Sequence, residues 1–305
     1  MQLGMIGLGR MGGNMVTRLV RKGHDVVAYD RSPEAVQRIV DVGAKGAGSL
    51  EELVGALDGR PKVVWVMVPA GDPTSQTIAE LGRLLSAGDV VIDGGNTYWK
   101  QALRDAEGLV DKGVSYLDAG TSGGVWGLDY GYCLMVGGSD AAYAQCEPIF
   151  KALAPDEGGL VHTGPEGSGH FVKMVHNGIE YALMQAYAEG FEIMERSSPF
   201  PGMDMHDIAE AWRYGSVVRS WLLDLIADGL TKDPGLAKIE GFVEDTGEGR
   251  WTIQAAVEDA VPAPTISMAL YNRFRSRMTN TFADRMLAMM RNQFGGHAVK
   301  AAPMD

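Results

Sequence analysis

The chain has 305 residues, which at about 150 residues per domain points to two domains. Apolar residues at 46% and charged residues at 22% are globular proportions with ample material for a core, so a disordered or fibrous chain is excluded. Lysine plus arginine (27) against aspartate plus glutamate (39) leaves −12, the wrong sign for a general nucleic-acid binder or an anionic-membrane binder.

The N-terminus, Met1-Gln2-Leu3-Gly4-Met5-Ile6, has no basic leader and no small-residue cleavage site, and reads at once as a strand. The longest notable apolar run, 63–68, falls far short of the ~20 residues of a membrane helix and ends at Pro69. Two cysteines, Cys133 and Cys146, are too few for a disulfide framework or a four-ligand zinc site and read as small buried thiols. A cytoplasmic protein without nucleic-acid or membrane partners is expected.

Short apolar runs at 3–7, 25–29, 63–68, 90–92, 115–117 and 132–136 are expected as strands. Amphipathic stretches between them, 11–21, 34–42 and 76–85, are expected as helices, the first two stopped by Gly23 and Gly43. That alternation predicts an α/β domain with a doubly wound parallel sheet over 1–165. After His162 the texture changes. The Gly164-Pro165-Glu166-Gly167-Ser168-Gly169 run punctuates the chain, and helical periodicity follows over about 170–196. An all-helical C-terminal domain is expected over 166–305. Ser197 to Gly202 breaks its first helix, and Pro262 and Pro264 set off a last helical stretch over about 265–294.

Gly7-Leu8-Gly9-Arg10-Met11-Gly12 fits the G-x-G-x-x-G pattern and sits after the first strand, opening a helix. In that place Gly7 permits the turn, Gly9 lets backbone approach a pyrophosphate and Gly12 allows helix-to-strand packing, with the helix N-terminus toward the phosphates. The first domain is therefore Rossmann-type, with Gly7, Leu8, Gly9, Arg10, Met11 and Gly12 as the phosphate loop, and with Val68, at the end of the expected 63–68 strand, expected to contact the cofactor. Asp30, about 20 residues on, suits a ribose 2′-hydroxyl and favours NAD over NADP. Arg31 next to it could accommodate a 2′-phosphate, or simply lie in solvent across the adenine.

Asp93-Gly94-Gly95-Asn96-Thr97 follows a strand, and Gly120-Thr121-Ser122-Gly123-Gly124 is expected in a similar loop. Both would then lie on the rim where open α/β sheets bind ligands. Lys173, His176, Asn177, Glu180 and Tyr181 stand at i, i+3, i+4, i+7 and i+8, one polar face of a helix. Phe171, Met174, Val175 and Ile179 make the other faces apolar, so the stripe is expected to line a cleft; a solvated, salt-bridged face is the plainer alternative. No metal-ligand spacing and no nucleophile elbow occurs, so neither a metal nor serine chemistry is expected. The last stretch concentrates Arg273, Arg275, Arg277, Arg285 and Arg291, suited to phosphate or carboxylate or to ion pairs between helices.

These residues carry a resemblance to the decarboxylating 6-phosphogluconate dehydrogenases, in their short bacterial form within the β-hydroxyacid dehydrogenase superfamily. The resemblance runs through Gly7–Gly12, Asp93–Thr97, Gly120–Gly124 and Lys173–Tyr181, and returns at Arg291-Asn292-Gln293-Phe294-Gly295-Gly296-His297. Its most specific part is His176-Asn177-Gly178-Ile179-Glu180-Tyr181, where related β-hydroxyacid dehydrogenases usually carry an Asn-Asn pair after the lysine. The resemblance implies oxidation of 6-phosphogluconate with NAD, with NADP as the alternative, and loss of CO2. It implies Lys173 as base and Glu180 as acid, with Asn96, Ser122, Gly123, Gly124, His176, Asn177 and Tyr181 around the sugar acid and Asn96 also near the cofactor. Arg273, Arg291 and His297 would contact phosphate and sugar, the last two from a neighbouring subunit of a dimer or tetramer. Thr246 stands where long forms hold a phosphate-binding lysine, and Asp30 replaces the small polar residue of NADP-using relatives. A β-hydroxyacid dehydrogenase acting on another small acid, and a catalytically silent NAD-binding sensor, are the competing readings.

Overall fold

The computed structural model describes residues 1–301 and divides into two compact units, Met1–Asn177 and Gly178–Asp305. In the first, β1 (Gln2–Ile6), α1 (Arg10–Arg21), β2 (Asp25–Tyr29), α2 (Pro33–Val40), β3 (Lys45–Gly46) and α3 (Leu50–Gly55) lead to β4 (Val63–Val66). There follow α4 (Asp72–Leu84), β5 (Val90–Asp93), α5 (Trp99–Val110), β6 (Ser115–Ser122), a short 3-10 turn, α6 (Gly127–Tyr130), β7 (Cys133–Gly138), α7 (Asp140–Leu153) and β8 (Leu160–Gly164). Among the described residues these strands form one sheet in the order β3-β2-β1-β4-β5-β6-β7-β8. It is parallel except where β7 runs antiparallel to β6.

The central strands are apolar throughout because both sheet faces are covered, as parallel sheets require. Every residue of Val63-Val64-Trp65-Val66 is buried. One core layer gathers Met15, Leu19, Trp65, Phe150 and Leu153, with Trp65 edge-on to Phe150 at 5.9 Å; the other gathers Leu53, Ile78, Leu81, Leu109 and Tyr116. Serines set the helix starts: Ser32, Ser49 and Ser139 accept backbone N–H bonds at the heads of α2, α3 and α7.

Several expected boundaries are corrected. Residues 120–122 are strand, with Gly120 opposite Met135 and Ser122 opposite Cys133, so the expected 120–124 loop begins only at Gly123. Its antiparallel partner supplies the ladder there, a long-range contact that local composition does not carry. The 63–68 strand stops at Val66, leaving Val68 half-buried in the turn before Pro69. The two-residue β3 and the half-exposed edge strand β8 were not expected, because neither has a run of buried apolar residues.

The 28-residue helix α8 (Ser168–Glu195) leaves the sheet and carries the chain into the second unit. The remainder is helical: α9 (Met205–Arg213), α10 (Trp221–Lys232), α11 (Glu248–Glu258), α12 (Pro264–Ser276) and α13 (Phe282–Gly295). The expected 265–294 stretch is therefore two helices. Asn280 turns into the left-handed region (φ 49°), and Thr281 with Asp284 forms a capping box that starts a new helix.

Candidate active site

The strand order reverses between β1 and β4, and a doubly wound sheet binds ligands at the carboxyl ends of the strands flanking such a point. The glycine loop lies there. Gly7 adopts φ +91°, and a Cβ on it would fall 2.4 Å from the Met67 carbonyl oxygen. A Cβ on Gly12 would fall 2.0 Å from the Gly7 oxygen, whereas one on Gly9 would meet nothing within 4 Å. Two glycines thus close the turn while the third opens space at the head of α1, where no side chain caps the helix. The Leu8 side chain is buried in the core, so only its backbone belongs to the loop; Met11 packs on the same core, and Arg10 and Arg31 are exposed.

Asp30 ties this loop down. Its Oδ2 accepts the Leu8 N–H at 2.7 Å and its Oδ1 accepts the Ser32 N–H at 2.8 Å. Each carboxylate oxygen has two lone pairs, so both keep an acceptor position for a ribose hydroxyl. The open space at Gly9, the uncapped helix head and this carboxylate together suit a dinucleotide.

Further along the sheet, Asp93 at the end of β5 and Asp118 in the middle of β6 are register partners, and both are fully buried. The two bind different donors. Asp93 accepts the Gly95 N–H at 3.0 Å and the Tyr116 hydroxyl at 3.1 Å, fixing the turn that carries half-buried Asn96. Asp118 accepts the Gly167 and His170 N–H groups, both at 2.7 Å, and so caps the start of α8. Burial pushes the Asp118 carboxyl up, against the pull of His170 and of those two amides.

Helix α8 presses on the sheet at positions that lack side chains. A Cβ on Gly120 would lie 2.4 Å from the Lys173 Cβ, one on Gly137 would lie 2.7 Å from the Gly169 nitrogen, and one on Gly169 would lie 2.4 Å from both the Asp118 and Met135 carbonyl oxygens. That close seam sets where Lys173 emerges. Its Nζ donates to Asn177 Oδ1 at 2.7 Å and lies 3.5 Å from His176 Nδ1, and His176 Nε2 lies 3.5 Å from Ser122 Oγ. The first unit therefore brings Lys173, His176, Asn177 and Ser122 into one half-buried polar cluster, beside Gly123 and Gly124 at the end of β6. The polar stripe is as expected, but Ile179 is 50% exposed, so the apolar faces of α8 are not all covered.

In the second unit, half-buried Glu180 adjoins buried Tyr181, whose ring lies under Arg273 with the guanidinium carbon 3.6 Å from its centroid. Arg273 also donates to the Glu244 carbonyl at 2.7 Å, and the Tyr181 hydroxyl accepts the Thr246 N–H at 3.4 Å. Thr246 itself donates to the buried Glu248. Arg291 and His297 line a different cavity of about 340 Å³, formed by α13 and the segment after it together with Arg285 and Lys300. Arg273 is not among the residues lining it. Arg275 and Arg277 are ion-paired to Asp284 and Asp245, so that part of the arginine concentration joins helices to each other and to loops.

Among the described residues, one trio has donor atoms close enough for a metal: Asp204, His206 and Asp207. Asp204 there accepts the backbone N–H groups of the other two as a helix cap. What sequence reading missed is the buried layer beneath the site, namely His170, Asp118 and the inward role of Asp93. The available signal was a carboxylate closing each apolar run, at Val90-Val91-Ile92-Asp93 and Tyr116-Leu117-Asp118.

Residues 2–164 match the family model of the NAD binding domain of 6-phosphogluconate dehydrogenase, and residues 169–301 match that of the 6-phosphogluconate dehydrogenase C-terminal domain. The chain is 45% identical over 300 residues to an NAD(+)-dependent, decarboxylating 6-phosphogluconate dehydrogenase of Haloferax volcanii, covering 98% of each chain. It is 41% identical over 300 residues to a Bacillus subtilis protein named as a putative 6-phosphogluconate dehydrogenase, covering 98% of this chain and 99% of that one. Among solved structures, Plasmodium falciparum 6-phosphogluconate dehydrogenase, studied with NADP+ and with 6-phosphogluconate, superposes with a TM-score of 0.83 at 29% identity. That match covers all of this chain and 67% of the longer one.

Proposed function

The chain belongs to the 6-phosphogluconate dehydrogenase family, and from that premise we propose that it oxidatively decarboxylates 6-phosphogluconate to ribulose 5-phosphate and CO2 with NAD. The observation that carries the reading is the Lys173, Asn177, His176 and Ser122 cluster: a half-buried amine held at 2.7 Å by an amide oxygen, beside a histidine and a hydroxyl. That is a base with polyol-binding groups around it. NAD, when bound, supplies the acceptor for the hydride that leaves C3. Asp30 as ribose acceptor supports NAD over NADP, since its carboxylate would repel a 2′-phosphate.

Lys173 takes the proton of the 3-hydroxyl as C3 is oxidised. The resulting 3-keto acid loses CO2 as its C1–C2 bond breaks and the electron pair passes into the carbonyl; the Lys173 ammonium returns its proton to that oxygen, leaving an enediol. Glu180, seven residues further on the same helix, then protonates the carbon that lost CO2 while Lys173 takes back the proton of the enediol hydroxyl at the former C3, restoring the ketone; the Glu180 carboxyl must be protonated at that step. Asn96, Ser122, Gly123, Gly124, His176, Asn177 and Tyr181 hold the sugar acid in this reading. Arg273 is its phosphate contact, released from the Tyr181 ring.

The substrate domain is taken as 166–305, and the assembly as a cytoplasmic homo-oligomer in which Arg291 and His297 complete a neighbour's site. Supporting this, α13 exposes Phe282, Leu287 and Phe294 among the described residues. No helix among the described residues is long and apolar enough to cross a membrane.

The test is NADH formation and CO2 release with 6-phosphogluconate, run beside 3-hydroxyisobutyrate and with NADP in place of NAD. Turnover confined to 3-hydroxyisobutyrate would place the enzyme among non-decarboxylating β-hydroxyacid dehydrogenases. No turnover with either acid, at intact NAD affinity, would favour a sensor.

A further inference from the structure

Beneath the Lys173 cluster lies a pair of groups that no step of the reaction uses. The His170 side chain is 1% exposed, and its Nε2 sits 3.3 Å from Oδ2 of the fully buried Asp93. The same Asp93 holds the Gly95 N–H of the Asn96 turn, and the backbone N–H of His170 is held by Asp118. One residue thus joins three elements: its ring reaches Asp93, which holds the turn after β5, its backbone N–H reaches Asp118 within β6, and it sits in the first turn of α8, with Lys173 three residues further on the helix. Phe171, next to it, packs edge-on against Trp99 at 5.5 Å, just after the same turn.

We propose that His170, ion-paired with Asp93, is a positioning residue that clamps the Lys173 helix to the Asn96 turn. The proposal rests on the dehydrogenase reading above and adds to it how the base and the turn keep their spacing. Two carboxylates in register on neighbouring strands, both out of water, repel each other and carry a large desolvation cost. The imidazolium is their common counter-ion. Burial opposes its charge, but Asp93, with Asp118 behind it, overcomes that and raises its pKa. Burial likewise opposes the charge of Asp93, and His170 outweighs it, leaving that carboxyl below its ordinary range.

The groups that face His170 are Asp93 from β5 and Asp118 from β6, with the Tyr116 hydroxyl on Asp93. Burial, then Asp93, pushes the Tyr116 phenol well up, so it stays a neutral donor. Loss of the ring would leave Asp93 without its partner and free the turn from the helix, whereas a neutral N–H donor in its place would keep part of the link. A shift of the base by about 1 Å can cost about a hundredfold in rate, so the expected loss falls on kcat and not on dinucleotide affinity.

The test uses the whole 305-residue chain. Imidazole nitrogen NMR of the wild type, with the His170 signals assigned by their loss in His170→Gln, is expected to show both ring nitrogens protonated at neutral pH. His170→Leu is expected to lower kcat for 6-phosphogluconate by about tenfold to a hundredfold, with NAD affinity within about threefold and faster amide exchange at Gly167 and His170. His170→Gln keeps an N–H donor at the Nε2 position and is expected to recover a substantial part of kcat. A neutral imidazole in the wild type, a folded His170→Leu enzyme with unchanged kcat, or a Gln variant no better than Leu overturns the proposal. If His170→Leu does not fold, Asp93→Asn decides on the same measurements, unchanged kcat again overturning it. A wild type that fails to turn over 6-phosphogluconate overturns the dehydrogenase reading instead; the NMR and exchange measurements then still decide the clamp.

Discussion

The two units solve the problem of burial differently. The first wraps a sheet with helices on both faces, and its core residues are almost all below a tenth exposed, in two extended layers. The second closes only small clusters, Ala209, Leu223, Ala227 and Leu230 in one and Tyr181, Ala269 and Leu270 in another, and leaves Ile193, Val217, Val257 and Phe294 in the open. A sheet sandwiched by helices completes its core within one chain, whereas a few helices of modest length do so less readily. The groups in the first unit are accordingly held by buried or part-buried bonds, while the Arg273 bond is exposed.

The largest effect that would sharpen this contrast is on chemistry. Lys173→Met is expected to lower kcat by at least about a hundredfold, the usual contribution of a general base, with NAD affinity unchanged because its proposed site lies elsewhere in the first unit. Retained turnover would return the polar stripe of α8 to an ordinary helix face. Next come the cores. Leu19→Ala, at a fully buried position, is expected to cost about 2–5 kcal/mol, and Leu287→Ala, 62% exposed on α13, within about 0.5 kcal/mol in the isolated subunit. Denaturant unfolding measures both. A large cost at Leu287 that depends on protein concentration would show that a second copy covers it.

Arg291→Ala is expected to raise KM for 6-phosphogluconate more than about tenfold, as loss of a charge-assisted bidentate pair should. Mixed and exchanged with the Lys173→Met protein, it should recover about a quarter of wild-type activity if each site of a dimer borrows the partner's tail. Exchange shown by mass without recovered activity would assign the tail to packing. Asp30→Asn removes one charge, and the expected change in NAD-over-NADP preference is about tenfold to a hundredfold. Equal loss with both dinucleotides would reduce Asp30 to the loop clamp already visible in its bonds to Leu8 and Ser32.

The smallest effect separates the units by pH. The Asp245 carboxyl in the second unit is held below its ordinary range by the Arg250 hydrogen bond, burial opposing it and Arg277 reinforcing it. A depressed carboxyl contributes stability that is present above its unfolded pKa near 3.9 and lost as pH falls through the folded value. His170 in the first unit has a raised pKa; its contribution is full below the unfolded value near 6.5 and lost as pH rises through the folded one. Asp245→Asn should flatten the acid limb of stability, and His170→Gln the alkaline limb. Identical profiles for both variants would contradict the assignment of these groups.

Much of the first unit was legible because its strands announce themselves. The 25–29 run coincides with β2, and the glycine fingerprint fell on a strand, turn and helix as its chemistry demands. The polar face of α8 that gathers Lys173, His176 and Asn177 was legible from spacing alone. Legibility failed where structure depends on partners distant in sequence. The tail of β6 is strand only because β7 returns antiparallel beside it, and β3 and β8 are strands only by attachment to an existing edge. The buried layer was hidden for a related reason: an aspartate at a strand end looks like a rim residue until the neighbouring strand and the helix head turn it inward. The break between α12 and α13 was a local signal overlooked, since Thr281 and Asp284 already spell a cap.

The glycine seam between α8 and the sheet also carries a genetic consequence. Every amino acid reached from a glycine codon by one base change bears a Cβ, and at Gly120 and Gly169 that atom would collide with the Lys173 Cβ or with backbone oxygens. Trimming a neighbouring side chain relieves neither collision, because neither involves the far end of one. Missense changes at these two codons should therefore behave as null alleles without second-site suppressors in this chain, whereas Gly9, with empty space before it, should yield alleles that surplus NAD can rescue.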